Sequence, residues 1–237
     1  MRILAIDTSS QVASAAVLEN DNLLGEMTIN HPRTHSQKLM PIIQSLCGSL
    51  DLSVKDMDMI AVAGGPGSFT GVRIGLSAAK AMAHPFNIPV VMVSTLKGLA
   101  YNLPGCDGIL CPILDARRGE VYTAAYRWQS ETLITMIEDQ PLPLDTLLDK
   151  FKDGHAQRIV FLGDAAEKFK EKIHEVLGAR AVIASPTHCL PRASSVAMAA
   201  FVNRDSAVKY DEVKANYLRR SEAEVTWEKK HGKQSDQ

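Results

Sequence analysis

Short apolar runs, broken by turns and by stretches of helical period, fill the first hundred residues. Ile3–Asp7 has the pattern of a buried strand ending in an acid, and the turn Thr8-Ser9-Ser10 follows it. Val12–Leu18 and Leu23–Ile29 read as two further strands, joined by the hairpin turn Asn20-Asp21-Asn22. From Thr34 the period changes. Thr34-x-x-Gln37 has the form of a capping box, and Leu39, Ile42, Ile43, Leu46 and Leu50 fall on one helical face. Pro41 removes one backbone donor inside that helix and should kink it. Met59–Ala63 and Pro89–Val93 are short buried strands, followed by helices over 72–83 and 95–102. The order is βββαβαβα, and Asn102-Leu103-Pro104-Gly105 offers a hinge after it.

The stretch from Gly64 to Ala83 is the most distinctive. Gly64, Gly65, Pro66 and Gly67 cannot extend the strand before them and make a tight turn into a helix. On that helix Gly71, Gly75, Ala79 and Ala83 recur every four residues and form one ridge of small side chains. Ile74, Ala78 and Met82 flank the ridge. A glycine-rich strand-to-helix turn can aim backbone N–H groups at a phosphate. The dinucleotide fingerprint, however, wants an acid ending the next strand, and that strand ends in Ser94-Thr95. A Walker A loop wants Gly-Lys-Ser/Thr, and Val72-Arg73 follows Gly71. Two uses remain for the ridge: docking a second helix, or packing this helix on its own sheet.

The second half repeats the first weakly. Ile113-Leu114-Asp115 matches Ala5-Ile6-Asp7, and Val121–Ala125 matches Val12–Ala16 after the turn Arg117-Arg118-Gly119-Glu120. Strands at 133–137, 158–162 and 181–184 and helices at 144–151, 166–177 and 194–202 complete a poorer copy. The division this suggests is a first lobe over 1–104, a second over 105–193, and a helical segment at about 194–220 packing back on the first. A frayed polar tail over 221–237 ends the chain.

Composition narrows the function classes. With 237 residues, 46% hydrophobic and 22% charged, the chain is of ordinary globular type. A net charge of −1 leaves no basic stripe for nucleic acid, so RNA contact would need a partner's surface. The four cysteines form no C-x-x-C pair, there is no signal peptide and no membrane-spanning run, and the reading is a reduced cytoplasmic protein. Asp7 and Asp115 end the first strands of the two repeats, where ligands of α/β sheets collect. Asp7, with Thr8, Ser9 and Ser10, could hold Mg²⁺ and phosphates, or simply cap a turn; for Asp115 the turn role is favoured, with Arg117 and Arg118 as charge partners. His31 and His35 have a metal-like spacing, but Pro32 between them argues against a shared helical face. Ser9, Ser36 and Ser68 are conceivable nucleophiles, yet none lies in G-x-S-x-G. No catalytic or metal residue is assigned.

Asp7-Thr8-Ser9, His35-Ser36-x-x-Leu39-x-Pro41-x-Ile43, Gly65–Gly75 (GPGSFTGVRIG) and Tyr217-Leu218-Arg219 occur in order and together closely resemble the bacterial TsaB (YeaZ) family. The resemblance implies an α/β actin-like (ASKHA) fold of two duplicated RNase H-like lobes with mixed sheets, the second lobe reduced. It implies a role in forming N6-threonylcarbamoyladenosine at position 37 of tRNAs. In that family the catalytic subunit is the paralogue TsaD, which carries an H-x-x-x-H metal site; here Thr95 and Leu99 stand at those places. Gly163-Asp164-Ala165 replaces the Gly-Gly adenosine motif of actin-like ATPases, which puts an intact ATP site in doubt. The resemblance thus implies a non-catalytic subunit without a cofactor of its own, ATP or ADP with Mg²⁺ joining only at the complex interface. Its partners would be TsaD and the ATPase TsaE, with tRNA bound through the complex and a weak homodimer when alone. The expected docking face is Leu39, Ile42, Ile43 and Leu46 with Gly71, Ile74, Gly75, Ala78, Ala79 and Met82. An independent actin-like phosphotransferase or peptidase is the other reading.

Overall fold

The computed structural model describes residues 1–31, 35–153 and 157–218, with the backbone only of residues 35 and 36. The capping box expected at Thr34, Arg219 and the tail from Ser221 lie outside them. The first half runs β1 (Arg2–Asp7), β2 (Val12–Glu19), β3 (Asn22–Asn30), α1 (His35–Ser49), β4 (Met59–Ala63), α2 (Phe69–Ala83), β5 (Val90–Val93), α3 (Thr95–Ala100). Its sheet has the order β3-β2-β1-β4-β5. β1 pairs antiparallel with β2, and β1, β4 and β5 are parallel. The second half runs β6 (Ile109–Asp115), β7 (Glu120–Gln129), β8 (Thr132–Pro143), α4 (Leu144–Lys152), β9 (Ile159–Leu162), α5 (Asp164–Lys168), α6 (Lys170–Leu177), β10 (Ala181–Ile183), α7 (Pro186–Cys189), α8 (Ala193–Val202). Its order, β8-β7-β6-β9-β10, repeats the first sheet strand for strand. Asp7 faces Ser14 across β1–β2 and Asp115 faces Val121 across β6–β7, so the matched sequences occupy matched places.

Both sheets are covered on both faces, which is why their central strands are apolar without alternation. In the first sheet, Leu39, Ile42, Leu46, Val72, Leu76 and Ala79 of α1 and α2 pack on Leu4, Ile6, Ile60 and Val62. On the opposite face Val196, Ala197 and Ala200 of α8 meet Ile3, Ala5, Ala61 and Val91. Small residues in β2, Ala13, Ala15 and Ala16, let helices approach from either side. α3 belongs to the first half by sequence but packs on the second sheet, with Leu96 and Leu99 against Leu110, Leu114, Val160 and Leu162. Fully burying each such leucine stabilises the fold by about 1.5–3 kcal/mol. α4 and α6 cover the far face through Leu147, Phe151, Ile173 and Leu177. α3 and α8 therefore fill the space between the sheets.

Polar ties fix this arrangement. The N-terminus of α8 is held by the first sheet: Ser14 Oγ accepts from Ala193 N at 3.0 Å, and Glu26 Oε1 accepts from Ser194 N at 3.0 Å and Ser194 Oγ at 2.8 Å. Arg192 Nη2 pairs with Glu26 Oε2 at 2.6 Å. Burial raises the Glu26 carboxyl, but these bonds outweigh it and hold it below the usual range. The stretch expected as a hinge is anchored instead. Asn102 is buried, so its amide must be satisfied: Nδ2 donates to His188 O and Leu190 O, both at 2.8 Å, and Oδ1 accepts from Ser195 Oγ at 2.6 Å.

α1 carries Pro41 inside it, as the sequence predicts, on its exposed side, and runs to Ser49. Two details differ from the sequence expectation. The helix expected over 166–177 begins at Asp164 and breaks at Phe169, whose φ of −108° and ψ of 14° separate α5 from α6. After α8 the chain returns along the first sheet: Val208 exchanges backbone bonds with Val90 at 2.9 and 3.0 Å, Val213 is buried among α1 and α2 residues, and Asn216 N donates to Gly64 O at 2.9 Å. This segment covers the open edge of β5.

Candidate functional site

The loop after β1 is closed by the first turn of α2. Ser68 caps that helix by accepting from Gly71 N at 3.2 Å, and its own N–H donates to Ser9 O at 2.6 Å. Thr8 Oγ1 donates to Gly71 O at 2.7 Å, and Ser9 Oγ donates to Asp7 Oδ1 at 2.6 Å, beside Ser9 N at 2.8 Å. Asp7, only 1% exposed, thus finds its donors within the loop. Burial pushes its carboxyl up to about 6, against the lowering effect of the two Ser9 bonds. Ser10 is half-buried, and its Oγ accepts from Val12 N at 3.1 Å. A Mg²⁺–phosphate cradle needs outward oxygens and donors. Asp7, Thr8 and Ser9 direct theirs inward, so this loop as arranged does not fit such a group.

Asp115 has a different setting. Its side chain is 30% exposed and pairs with Lys168 Nζ at 2.5 Å, while Oδ1 accepts from Arg117 N at 2.9 Å. Desolvation raises its carboxyl, but the Lys168 bond and the Arg117 N–H outweigh it and leave it below the usual range. Arg117 acts on Asp115 through its backbone N–H and also, as expected, through its charge, and Lys168 is a salt-bridge partner that sequence reasoning missed. Asp164, at the start of α5, accepts from Asp115 N at 3.0 Å and is raised by burial.

The small-residue ridge is resolved in favour of internal packing. A Cβ on Gly71 would sit 2.0 Å from Thr8 O, and one on Gly75 would sit 2.6 Å from Thr8 Oγ1 and 3.5 Å from Val62. Ala79 is fully buried. Leu39, Ile42, Ile43, Leu46 and Met82 likewise belong to the core under the first sheet. Of the positions expected in a docking face, all but Ile74 and Ala78 are thus buried and turned inward. The reason is that an amphipathic helix on a two-sided sheet spends its apolar stripe on its own core. What α1 and α2 present outward is Met40, 48% exposed, with half-buried Ile74 and Ala78 and exposed Gln44, Arg73 and Ser77. Met40 is apolar and out of phase with the Leu39–Ile43–Leu46 stripe, a signal the sequence did carry.

Beside this face sits a cluster that sequence reasoning missed. Phe69 and Tyr217 stack with centroids 4.7 Å apart. The Arg73 guanidinium lies 3.8 Å from the Phe69 centroid, and its Nε donates to Tyr217 Oη at 2.9 Å.

Thr95 and Leu99 are both buried between the lobes, Leu99 against the second sheet. Ser94 caps α3 and donates to Asp139 Oδ2; Asp139 Oδ1 accepts from Tyr126 Oη at 2.9 Å. Gly163 is pressed on β6, a Cβ there falling 2.3 Å from Ile113 O. Ser68 acts as a helix cap, and the Ser36 and His35 side chains lie outside the described residues. All four cysteines are free thiols, and no helix among the described residues is long and apolar enough to cross a membrane.

Known proteins share this arrangement. The family model described as TsaD, tRNA N6-adenosine threonylcarbamoyltransferase, matches residues 22–227. The tRNA threonylcarbamoyladenosine biosynthesis protein TsaB of Bacillus subtilis (strain 168) is 37% identical over 228 residues, 96% of this chain and 98% of that protein. The solved structure of YeaZ from Pseudomonas aeruginosa superposes with a TM-score of 0.76 at 27% identity, covering 92% of this chain and 99% of that one. Component A of (R)-2-hydroxyglutaryl-CoA dehydratase from Acidaminococcus fermentans has a TM-score of 0.51 at 10% identity, covering 86% of this chain and 99% of that one. It shares the actin-like fold alone. The chain belongs to the TsaB (YeaZ) family, the proteins of tRNA threonylcarbamoyladenosine biosynthesis.

Proposed function

We propose that this chain is a non-catalytic scaffold subunit in the formation of N6-threonylcarbamoyladenosine at position 37 of tRNA, and that it docks and supports the catalytic TsaD subunit. The observation that carries the reading is the outer face of α1 and α2, where Met40, Ile74 and Ala78 sit with Gln44, Ser77 and a single exposed cation, Arg73. Such a face suits a second pair of helices. In this reading Ile74 and Ala78, half-buried against the core, contribute their outer sides to the face, and exposed Met40 is added to it. The inward-turned loop at Asp7 supports the same division of labour: ATP or ADP with Mg²⁺ belongs to the joint surface of the assembly. TsaE is the further ATPase partner, tRNA binds through the complex, and the setting is cytoplasmic. Alone, the chain closes the same face on a second copy as a weak homodimer.

The test is co-purification with TsaD, followed by a tRNA modification assay with each subunit left out in turn. Modification should require this chain, and light scattering should show the homodimer dissolving as TsaD is added. Vigorous ATP turnover by the isolated chain, or full modification without it, would favour an independent actin-like phosphotransferase or peptidase.

A further inference from the structure

Two observations about the α1–α2 face go beyond its shape. The first is charge. Across His35–Ser49 and Phe69–Ala83 there is no Asp or Glu, and the charged residues are Lys38, Arg73 and Lys80. In a chain of net charge −1 this pair of helices is a locally cationic surface. Lys38 is buried and donates to His31 O, and Lys80 in the last turn of α2 is half-buried, so of the three Arg73 is the exposed one.

The second observation is that Arg73 is held still. Its guanidinium lies 3.8 Å from the Phe69 ring centroid and 5.7 Å from that of Tyr217, and Nε is bonded to Tyr217 Oη at 2.9 Å. No acceptor among the described residues meets its two Nη groups. An exposed arginine ordinarily loses much rotamer freedom on binding. Here the backbone segment that returns along β5 delivers Tyr217 and fixes the side chain in advance. The outcome is a planar two-pronged donor, preorganised at the edge of an apolar helical face.

We propose that Arg73 takes a carboxylate of the docking protein as a bidentate pair, and that this pair orients the partner on α1 and α2. The inference rests on the docking reading above and adds its chemistry: the partner's contact surface is acidic at the place that meets Arg73. A nucleic-acid phosphate has the same geometry, but one exposed cation amid Met40, Ile74 and Ala78 is not a phosphate-tracking stripe.

The experiment measures the affinity of the full chain for purified TsaD, and of the assembled complex for tRNA, at about 50 and about 500 mM NaCl. Arg73→Ala should weaken TsaD binding roughly 10- to 100-fold at low salt and flatten its salt dependence. Arg73→Lys keeps the charge but loses the fork and should recover only part of the affinity. Tyr217→Phe keeps the ring but frees Nε, and should weaken binding roughly 3- to 10-fold. Thermal unfolding of each isolated variant should stay within a few degrees of the parent. Equal affinity of parent and Arg73→Ala for TsaD overturns the Arg73 assignment alone. Unchanged TsaD binding with weakened tRNA binding overturns it in favour of a phosphate. No binding of the parent to TsaD overturns the docking reading and the assignment with it.

Discussion

Asp7 and Asp115 end equivalent strands in sheets of identical order, yet one is sealed and the other open. The difference lies in the helix that crosses each strand end. α2 approaches the Thr8–Ser10 loop so closely that a Cβ on Gly67 would sit 2.2 Å from Ser9 O, and one on Gly71 2.0 Å from Thr8 O. Successive glycines let the helix lie against the loop and remove water from Asp7. α5 makes a single such contact, through Gly163, and brings Asp164 and Lys168 to the strand end. Asp115 therefore stays hydrated and ion-paired. A duplicated topology does not preserve a duplicated site; the bulk of one covering helix decides whether a carboxylate is a closed structural group or an exposed charge.

The largest effect should come from filling the gap under α2. Gly71→Leu places a branched side chain against the Thr8 backbone carbonyl, which cannot turn aside. The loss should exceed the about 1–3 kcal/mol of ordinary overpacking, and the isolated chain should fail to fold, read by circular dichroism. Gly48, whose Cβ would meet nothing within 4 Å, is the control: Gly48→Ala should stabilise by about 0.5–1 kcal/mol. A stable Gly71→Leu variant would return the ridge to the interface and break the comparison.

Next in size is the pH dependence of Asp7. Its carboxyl is raised from 3.8 in the unfolded chain to about 6 in the fold. The folded state therefore holds the extra proton between those values, and stability from this group falls as pH rises from about 4 to 6 and stays low above. At about 1.4 kcal/mol per pKa unit the span is about 3 kcal/mol. Asp7→Asn keeps an oxygen for the Ser9 donors and removes the buried charge, so the variant should lose that slope and be at least as stable at neutral pH. Urea titrations of both proteins from pH 4 to 8 measure it, and identical slopes would show that Asp7 is not the group responsible.

Asp115 should give the smallest effect and the opposite sign. Its carboxyl is held below the usual range, so its contribution is present above the unfolded value and lost as pH falls. The pair with Lys168 is partly exposed, and Asp115→Asn should cost less than about 1 kcal/mol at neutral pH. A larger loss would mean that the Asp115 turn is as structurally committed as the Asp7 loop.

The order βββαβαβα and the repeat were legible because buried strands and amphipathic helices leave strong periods in the chain. The site was less so. Spacing of Gly71, Gly75 and Ala79 announces a close backbone approach but is silent on whose backbone arrives, and here it is the Thr8 loop. The Leu39–Ile42–Leu46 stripe has the same ambiguity, since core and interface faces of a helix are chemically alike. β8 runs from Thr132 to Pro143, more than twice the expected length, because an edge strand carries polar residues and proline that read as loop. Tyr217 reaches Phe69 and Arg73 through a segment with no period of its own, so no local pattern could place it.

The position of α8 has a consequence for synthesis. Residues 193–202 supply one whole cover of a sheet whose strands lie within the first 93 residues. When the first lobe has left the ribosome, Ile3, Ala5, Leu18, Ala61 and Val91 still face outward on one side. About ninety more residues must be translated before their cover arrives, roughly 5–20 s at the usual rates of synthesis. During that interval the nascent chain carries a bare apolar sheet face. Ribosome-bound chains stopped before residue 193 should be protease-sensitive in β1 and β4, and those stopped well beyond residue 218 should not.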